Sequence, residues 1–120
     1  MATGDKLPTV SIMMVETEQE EQLQVPVKIN GIITNAVIDS GAVINLIGED
    51  WAIWNNITVT PKRETYRVKV ADGTLAAQDG GEIKNEAQGV LMTIQGHHEK
   101  ITLDVMRVPG HSIVLGKPWL

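Results

Sequence analysis

An Asn-Gly pair between two apolar stretches is the feature that most constrains the fold of this chain. The stretches Leu23–Ile29 and Ile32–Ile38 flank Asn30-Gly31 and are rich in Val and Ile. Asn and Gly both tolerate positive φ angles, so the pair favours the type I′ turn that joins two antiparallel strands. The sequence therefore predicts a β-hairpin here, with Pro26 indicating an edge or a bulge in its first strand.

The rest of the chain repeats this pattern of short apolar stretches and turns. Further strands are predicted over residues 10–15, 43–47, 65–70, 90–95, 101–108 and 113–115. A short helix is predicted from Gly48 to Trp54, and a second hairpin is predicted to close around residues 96–99. Seven or eight strands with very little helix indicate an all-β sandwich or barrel. We expect one such domain over residues 9–120, preceded by a flexible tail over residues 1–8.

Composition excludes several classes of function. The 120-residue chain has a net charge of −5, and its Lys and Arg residues are scattered singly, so no basic stripe for nucleic acid is present. The absence of cysteine excludes disulfides, thiolate metal sites and cysteine nucleophiles. No apolar run of about 18 residues could span a membrane, and the N-terminus lacks the order of a signal peptide. We expect an intracellular protein, or a piece of a polyprotein, without nucleic-acid or membrane partners.

The segment Asp39-Ser40-Gly41-Ala42 interrupts a long apolar stretch. Burying an ionised carboxylate is costly unless it is paired and hydrogen-bonded, so Asp39 lies either in an exposed turn or where the fold holds it for a purpose. Ser40 can hydrogen-bond to nearby groups, and Gly41 allows another backbone to approach closely. Asp-Ser-Gly is also common turn chemistry, so these residues alone leave both interpretations open.

The flanks of this segment resemble the active-site signature of aspartic proteases of the retropepsin type. An apolar strand precedes Asp39-Ser40-Gly41-Ala42, and further apolar residues follow. The second signature of that family, two apolar residues and a glycine near the domain end, is similar to Ile113-Val114-Leu115-Gly116. Between them, Val70-Ala71-Asp72-Gly73-Thr74 resembles the flap tip of the gypsy-like retrotransposon branch. The ending from Leu115 to Leu120 is similar to the Leu-Gly-x-x-Trp-Leu of that branch, so the resemblance covers residues 23–120.

The resemblance implies a retropepsin-like closed β-barrel with a flap hairpin and at most one or two short helices. It implies that Asp39 is catalytic, that Ser40, Gly41 and Ala42 support it, and that no cofactor or metal is needed. The segment Ile113-Val114-Leu115-Gly116 would thread through the loop that carries Asp39, and the hairpin tip Val70-Ala71-Asp72-Gly73-Thr74 would close over an extended peptide.

A homodimer is also implied, because no second Asp-Ser/Thr-Gly segment exists in the chain and one carboxylate makes only half of the catalytic pair. The implied activity is an aspartic endopeptidase that cleaves polypeptides, with polyprotein maturation as its role. The expected location is the cytoplasm or virus-like particles.

Two departures from the family pattern refine this prediction. Val43-Ile44 stands where many retroviral members carry acidic residues, so the subsites near Asp39 are expected to be more apolar. Retroviral members also continue through a helix and a terminal strand that interleaves at the dimer interface, whereas this chain stops at Leu120. We expect Val10–Val15 to supply part of that interface.

Two other functions are compatible with the sequence. One is a catalytically silent retropepsin-like module for dimerisation or peptide binding. The other is an unrelated β-barrel, which predicts an Asp39 turn that the 113–115 strand does not cross.

Two smaller features invite a structural explanation. The spacing of His97-His98-Glu99 favours a polar hairpin tip over a metal site, because adjacent strand residues point to opposite faces. For Trp51 and Trp54, we expect one to pack in the core and the other to be partly exposed.

Overall fold

Turn residues divide the chain into short strands, as the sequence predicts. The computed structural model describes residues 9–11, 23–39, 42, 44–69, 82–108, 110–117 and 119. The elements in these ranges are β1 (Thr9–Ser11), β2 (Leu23–Ile29), β3 (Ile32–Ile38), β4 (Leu46–Gly48), α1 (Glu49–Trp54), β5 (Thr60–Lys69), β6 (Glu82–Ile94), β7 (His97–Met106) and β8 (Ile113–Leu115). Residues 1–8, predicted as a flexible tail, lie outside the described ranges.

The first hairpin is confirmed. Strands β2 and β3 pair antiparallel from Leu23 opposite Ile38 to Ile29 opposite Ile32. Asn30 and Gly31 have φ angles of 50° and 85°, which are the two positive values that a type I′ turn requires.

Six strands close into a barrel. Their order is β6, β2, β3, β8, β4 and β7, and a further pairing of β7 with β6 closes the ring. Strand β6 is 13 residues long, so its first part pairs with β5 and its later part pairs with β7 and β2. Strand β1 pairs in parallel with β5 and forms the outer end of the sheet.

The core has two parts, one on each side of β3, β4 and β8. The larger cluster draws on all six barrel strands and therefore fills the barrel; its fully buried members include Ile29, Ile47, Met92, Leu103, Ile113 and Leu115. The smaller cluster contains Val37, Ala42, Leu46, Ile83, Val108 and Val114. All three residues of β4 and all three of β8 are buried, because these strands have apolar neighbours on both faces.

The second hairpin differs from its predicted bounds. Its two-residue turn is Gln95-Gly96, so His97, His98 and Glu99 belong to β7 instead of forming the tip. The predicted turn was wrong because four polar residues look alike in sequence, whereas the positive φ angles of Gln95 and Gly96 allow the tighter turn.

The predicted short helix is confirmed as α1. It follows the extended residue Gly48. The carboxylates of Glu49 and Asp50 lie in its first turn, where negative charge interacts favourably with the positive end of the helix dipole. It ends at Asn55, whose Nδ2 donates to the carbonyl oxygen of Trp51 at 2.9 Å. Within the described residues, no helix has the length and apolar character needed to cross a membrane.

Candidate active site

Asp39 lies directly after β3, where its backbone is held from two sides. Its N–H donates to the carbonyl oxygen of Leu115 at 2.9 Å, and its own carbonyl oxygen accepts from the N–H of Ala42 at 3.0 Å. The first bond ties Asp39 to β8, and the second ties it to Ala42. The half-buried Asp39 therefore occupies a position that neighbouring backbone determines.

Strand β8 runs in parallel beside β3, and the chain beyond it contacts a residue that follows Asp39. The pairing extends from Ala36 opposite Ile113 to Ile38 opposite Leu115. One residue later, the N–H of Gly116 donates to Asn45 Oδ1 at 2.9 Å. Strand β8 and Gly116 therefore contact residues on both sides of Asp39, which are Ile38 before it and Asn45 after it. The threading of this segment through the loop that carries Asp39 stays a prediction.

Gly116 is required by close approach. A Cβ atom at this position would lie 2.5 Å from the carbonyl oxygens of both Ala42 and Ile44, which is too short for any real Cβ contact. The N–H of Lys117 donates to that same Ala42 oxygen at 2.8 Å, so the approach is also a hydrogen-bonded one. The second signature thus ends in glycine because the chain beyond it packs directly on the backbone of the Asp39 loop.

The structure brings together Asp39, Ala42 and the segment Ile113-Val114-Leu115-Gly116. This contact contradicts the alternative of an unrelated barrel, which required that strand to lie away from Asp39. Ser40, Gly41 and the predicted flap tip, Val70-Ala71-Asp72-Gly73-Thr74, lie outside the described residues. Their roles stay predictions.

Leu23 is a residue near Asp39 that sequence reasoning did not single out. It lies opposite Ile38, on the face of β2 that also carries the buried Val27 and Ile29, yet 61% of its surface is exposed. Because alternate residues of a strand share a face, the Leu23 side chain is on the face of β2 that lines the barrel interior. Leu23 therefore continues this apolar face to the surface, at the end of the barrel where Asp39 lies. Counting back from the Asn-Gly turn would have placed it there, because a two-residue turn determines the register of both strands.

A polar cluster lies on another part of the barrel wall. Lys62 Nζ is 3.0 Å from Asp104 Oδ1 and 3.3 Å from Glu86 Oε1, and Tyr66 donates its hydroxyl hydrogen to Asp104. Glu86 and Asp104 are cross-strand partners on β6 and β7, and only 14% of each side chain is exposed. Lys62 thus separates two carboxylates that would otherwise repel each other.

The surroundings of this cluster shift several pKa values. Burial, the hydrogen bond to Asp104 and the nearby carboxylates raise the pKa of Tyr66 above its usual range. Burial opposes charging of Lys62, but its bonds to Asp104 and Glu86 prevail and raise its pKa. The hydrogen bond from Gln88, together with Lys62, lowers the pKa of Glu86.

The polar cluster supports the fold. It ties β5 to β6 and β7, and Tyr66 also packs against the smaller core cluster, which contains Ala42. Sequence reasoning missed it because its four members become neighbours only through strand pairing.

A metal site is not indicated in the described ranges, where no three His, Cys, Asp or Glu side chains converge. His97 Nε2 lies 3.8 Å from Glu99 Oε1 on the exposed part of β7. Trp119 Nε1 donates to Glu99 Oε2 at 2.6 Å, so Glu99 helps to hold the end of the chain.

Comparison with solved structures supports the retropepsin-type fold. The chain is similar to the crystal structure of the retroviral protease-like domain of Ddi1 from Leishmania major, with a TM-score of 0.55 and 18% sequence identity. The match covers 81% of this chain and 73% of that one. The expected all-β, retropepsin-like closed barrel with one short helix is confirmed at the level of the fold.

Comparison with protein families identifies the group to which the sequence belongs. Residues 35–120 match the PEG10/RTL1 protease domain, and this range includes Asp39, α1, β8 and Gly116. The match begins within β3 and therefore contains the contact between Asp39 and Leu115 of β8. With a retropepsin-type barrel and a family match over most of its length, the chain belongs to the PEG10/RTL1 protease domain family.

Proposed function

We propose that this domain is an aspartic endopeptidase in which Asp39 of two identical chains forms the catalytic pair. The observation that carries the proposal is the position of Asp39 after β3, where backbone hydrogen bonds join it to Leu115 of β8 and to Ala42. Such a rigid setting suits a carboxylate that must be presented to a partner with little freedom.

The chemistry follows from the closeness of two carboxylates. Two such groups a few ångströms apart cannot both ionise easily, so they share one proton. The ionised Asp39 takes a proton from a bound water, which attacks the peptide carbonyl carbon. The protonated Asp39 of the other chain stabilises the developing oxyanion and then helps to transfer a proton to the leaving amine.

The proposed substrate is an extended polypeptide with apolar residues around the cleaved bond. The exposed apolar Leu23 near Asp39 supports this preference. Ile44 packs against the smaller core cluster, so its contribution to a subsite is confined to its exposed part. Val43 lies outside the described residues.

The wider role that we propose is polyprotein maturation, in the cytoplasm or in virus-like particles, without a cofactor. The family match supports a protease ancestry for this role. Residues 10–15 stay our prediction for part of the dimer interface. In this chain, Thr9–Ser11 pair with β5 at the outer end of the sheet, and residues 12–15 lie outside the described ranges.

The test is cleavage of an unstructured polypeptide mixture at mildly acid pH, with Asp39→Asn as the active-site variant. Glu64→Gln is the matched control, since it also replaces a carboxylate with an amide at an exposed position, here on β5. The parent and Glu64→Gln should both cleave, at rates that rise more than linearly with enzyme concentration, because the active form is a dimer. Asp39→Asn should be inactive while retaining its fold and its association.

Two results would overturn the proposal. Cleavage that survives Asp39→Asn would assign the chemistry to other residues. A parent chain that is folded and dimeric but cleaves nothing would support the alternative of a catalytically silent module for dimerisation or peptide binding.

A further inference from the structure

The outer face of α1 exposes a large apolar surface. Trp54 is 83% exposed and Ile53 is 66% exposed, whereas Trp51 is half-buried and packs against the larger core cluster. The expectation that one of the two tryptophans packs and the other is exposed is therefore met, and Trp54 is more exposed than expected. Trp51 and Trp54 are three residues apart, so their rings lie on neighbouring parts of one helix face.

A cavity of about 310 Å³ adjoins these two rings. Trp51 and Trp54 line one side, and Val108, Gly110, His111 and Ser112 line the other. The two lining residues Gly48 and Ser112 are held together, because the N–H of Gly48 donates to the Ser112 carbonyl oxygen at 2.7 Å. The cavity therefore exists before any ligand binds, which reduces the ordering that binding requires.

Charge identifies the kind of ligand that suits this cavity. Glu49 and Asp50 also line it. Glu49 Oε1 is 3.8 Å from Arg107 Nε, so it is partly neutralised, but Asp50 is exposed and makes no ion pair with any residue that the structure describes. An exposed indole face beside a carboxylate attracts a cation, because the ring presents negative charge at its face. A purely apolar ligand would gain only from the indole face, and an acidic ligand would be repelled by the carboxylate.

We propose that the cavity beside Trp54 binds a Lys or Arg side chain of a basic polypeptide segment. The cation would lie against the exposed ring of Trp54, near the carboxylate of Asp50. The net charge of −5 on the whole chain further favours the approach of a basic partner.

This site is separate from the Asp39 turn. Gly48, Ser112 and the cavity lie at the N-terminal end of β8, whereas Asp39 contacts Leu115 at its C-terminal end. A three-residue strand is about 10 Å long, so the two sites are at least about that far apart. Binding at the cavity therefore does not depend on the proposed peptidase, and an Asp39→Asn chain should bind equally well.

The test is a titration with a short blocked peptide that contains several Arg residues. A peptide with citrulline at each Arg position is the matched ligand, since citrulline keeps the shape and removes the charge. Binding is followed by NMR through the indole N–H signals. Trp54→Phe assigns the Trp54 signal, and the Trp119 indole, which is hydrogen-bonded to Glu99, serves as an internal reference.

We expect the Arg peptide to shift the Trp54 signal and the citrulline peptide to leave it in place. Trp54→Ala and Asp50→Asn should each weaken binding about two- to fivefold, and added salt should weaken it as well. Ile33→Ala is the control for loss of an exposed apolar side chain, because Ile33 is 72% exposed on β3 and should not affect binding.

Three outcomes would overturn the proposal. In the first, the citrulline peptide binds as tightly as the Arg peptide. In the second, Trp54→Ala binds the Arg peptide like the parent chain. In the third, the parent self-associates without peptide and Trp54→Ala abolishes this, which would make a second copy of the chain the occupant.

Discussion

Replacing Gly116 with Ala tests whether the second signature holds the Asp39 loop by direct backbone contact. The added Cβ would meet two backbone oxygens, those of Ala42 and Ile44, at 2.5 Å. Ordinary contacts begin at 3.4 Å, so each oxygen must retreat by 3.4 − 2.5 = 0.9 Å. Backbone cannot rotate away as a flexible side chain can, so the loop or β8 has to move.

The cost combines overpacking with a weakened hydrogen bond. Overpacking in a tight interior costs about 1–3 kcal/mol. Moving the Ala42 oxygen also stretches its 2.8 Å bond from Lys117 N–H, and a backbone hydrogen bond contributes about 1 kcal/mol. We expect Gly116→Ala to lower the free energy of unfolding by about 2–4 kcal/mol, which is roughly 8–16 °C in Tm for a domain of this size.

The assay is urea unfolding together with thermal unfolding at one fixed protein concentration, because the dimer that we propose would make Tm depend on concentration. Gly96→Asn is the control, since Gly96 has open space around it and Asn tolerates its φ of 80°. It should cost at most about 1 kcal/mol. A Gly116→Ala chain that unfolds within about 0.5 kcal/mol of the parent would refute the claim of close backbone contact.

Three further substitutions have definite expected outcomes. The folded-state pKa of Glu86 is lowered, chiefly by the hydrogen bond from Gln88, so Glu86 stabilises the fold above its usual pKa of 4.5 and this stabilisation is lost as pH falls. In urea unfolding, Glu86→Gln should therefore make the free energy of unfolding fall less steeply with decreasing pH. The pKa of Tyr66 is raised in the folded state, so its contribution to the free energy of unfolding is lost progressively as pH rises above 10. Tyr66→Phe should lower the free energy of unfolding by about 1–3 kcal/mol at pH 7, because Asp104 loses the hydroxyl donor while keeping its ion pair with Lys62. It should also reduce the alkaline loss of stability measured by thermal unfolding. Ile113→Ala, at a residue with 0% exposure, should cost about 2–5 kcal/mol in chemical unfolding.

Local chemistry made several elements predictable. The Asn30-Gly31 turn determined the bounds and register of the first hairpin, because two positive φ angles and a period of two leave little choice. The helix α1 was predictable from the Gly48-Glu49-Asp50 start and the Asn55-Asn56 end. The bounds of β8 were predicted because its three apolar residues lie between turns.

Elements governed by distant partners were less predictable. The second hairpin was assigned too long a turn, since Gln95-Gly96 is a weaker turn signal than Asn-Gly. The strand predicted over residues 65–70 is longer than expected, since β5 begins at Thr60 and includes Pro61, which pairs opposite Asn85 just before a register shift. A bulge of this kind depends on the partner strand, and the sequence of β5 alone does not reveal it.

The candidate site shows the same division. By itself, the sequence determined that the chain is all-β, that Asp39 follows an apolar strand, and that Gly116 ends a later one, because turn chemistry and alternation act over a few residues. Only the tertiary structure decided that these two segments touch. It also placed Leu23 beside the Asp39 end of the barrel, joined Lys62 to Asp104 and left Trp54 exposed, because such contacts depend on strand order and closure across tens of residues.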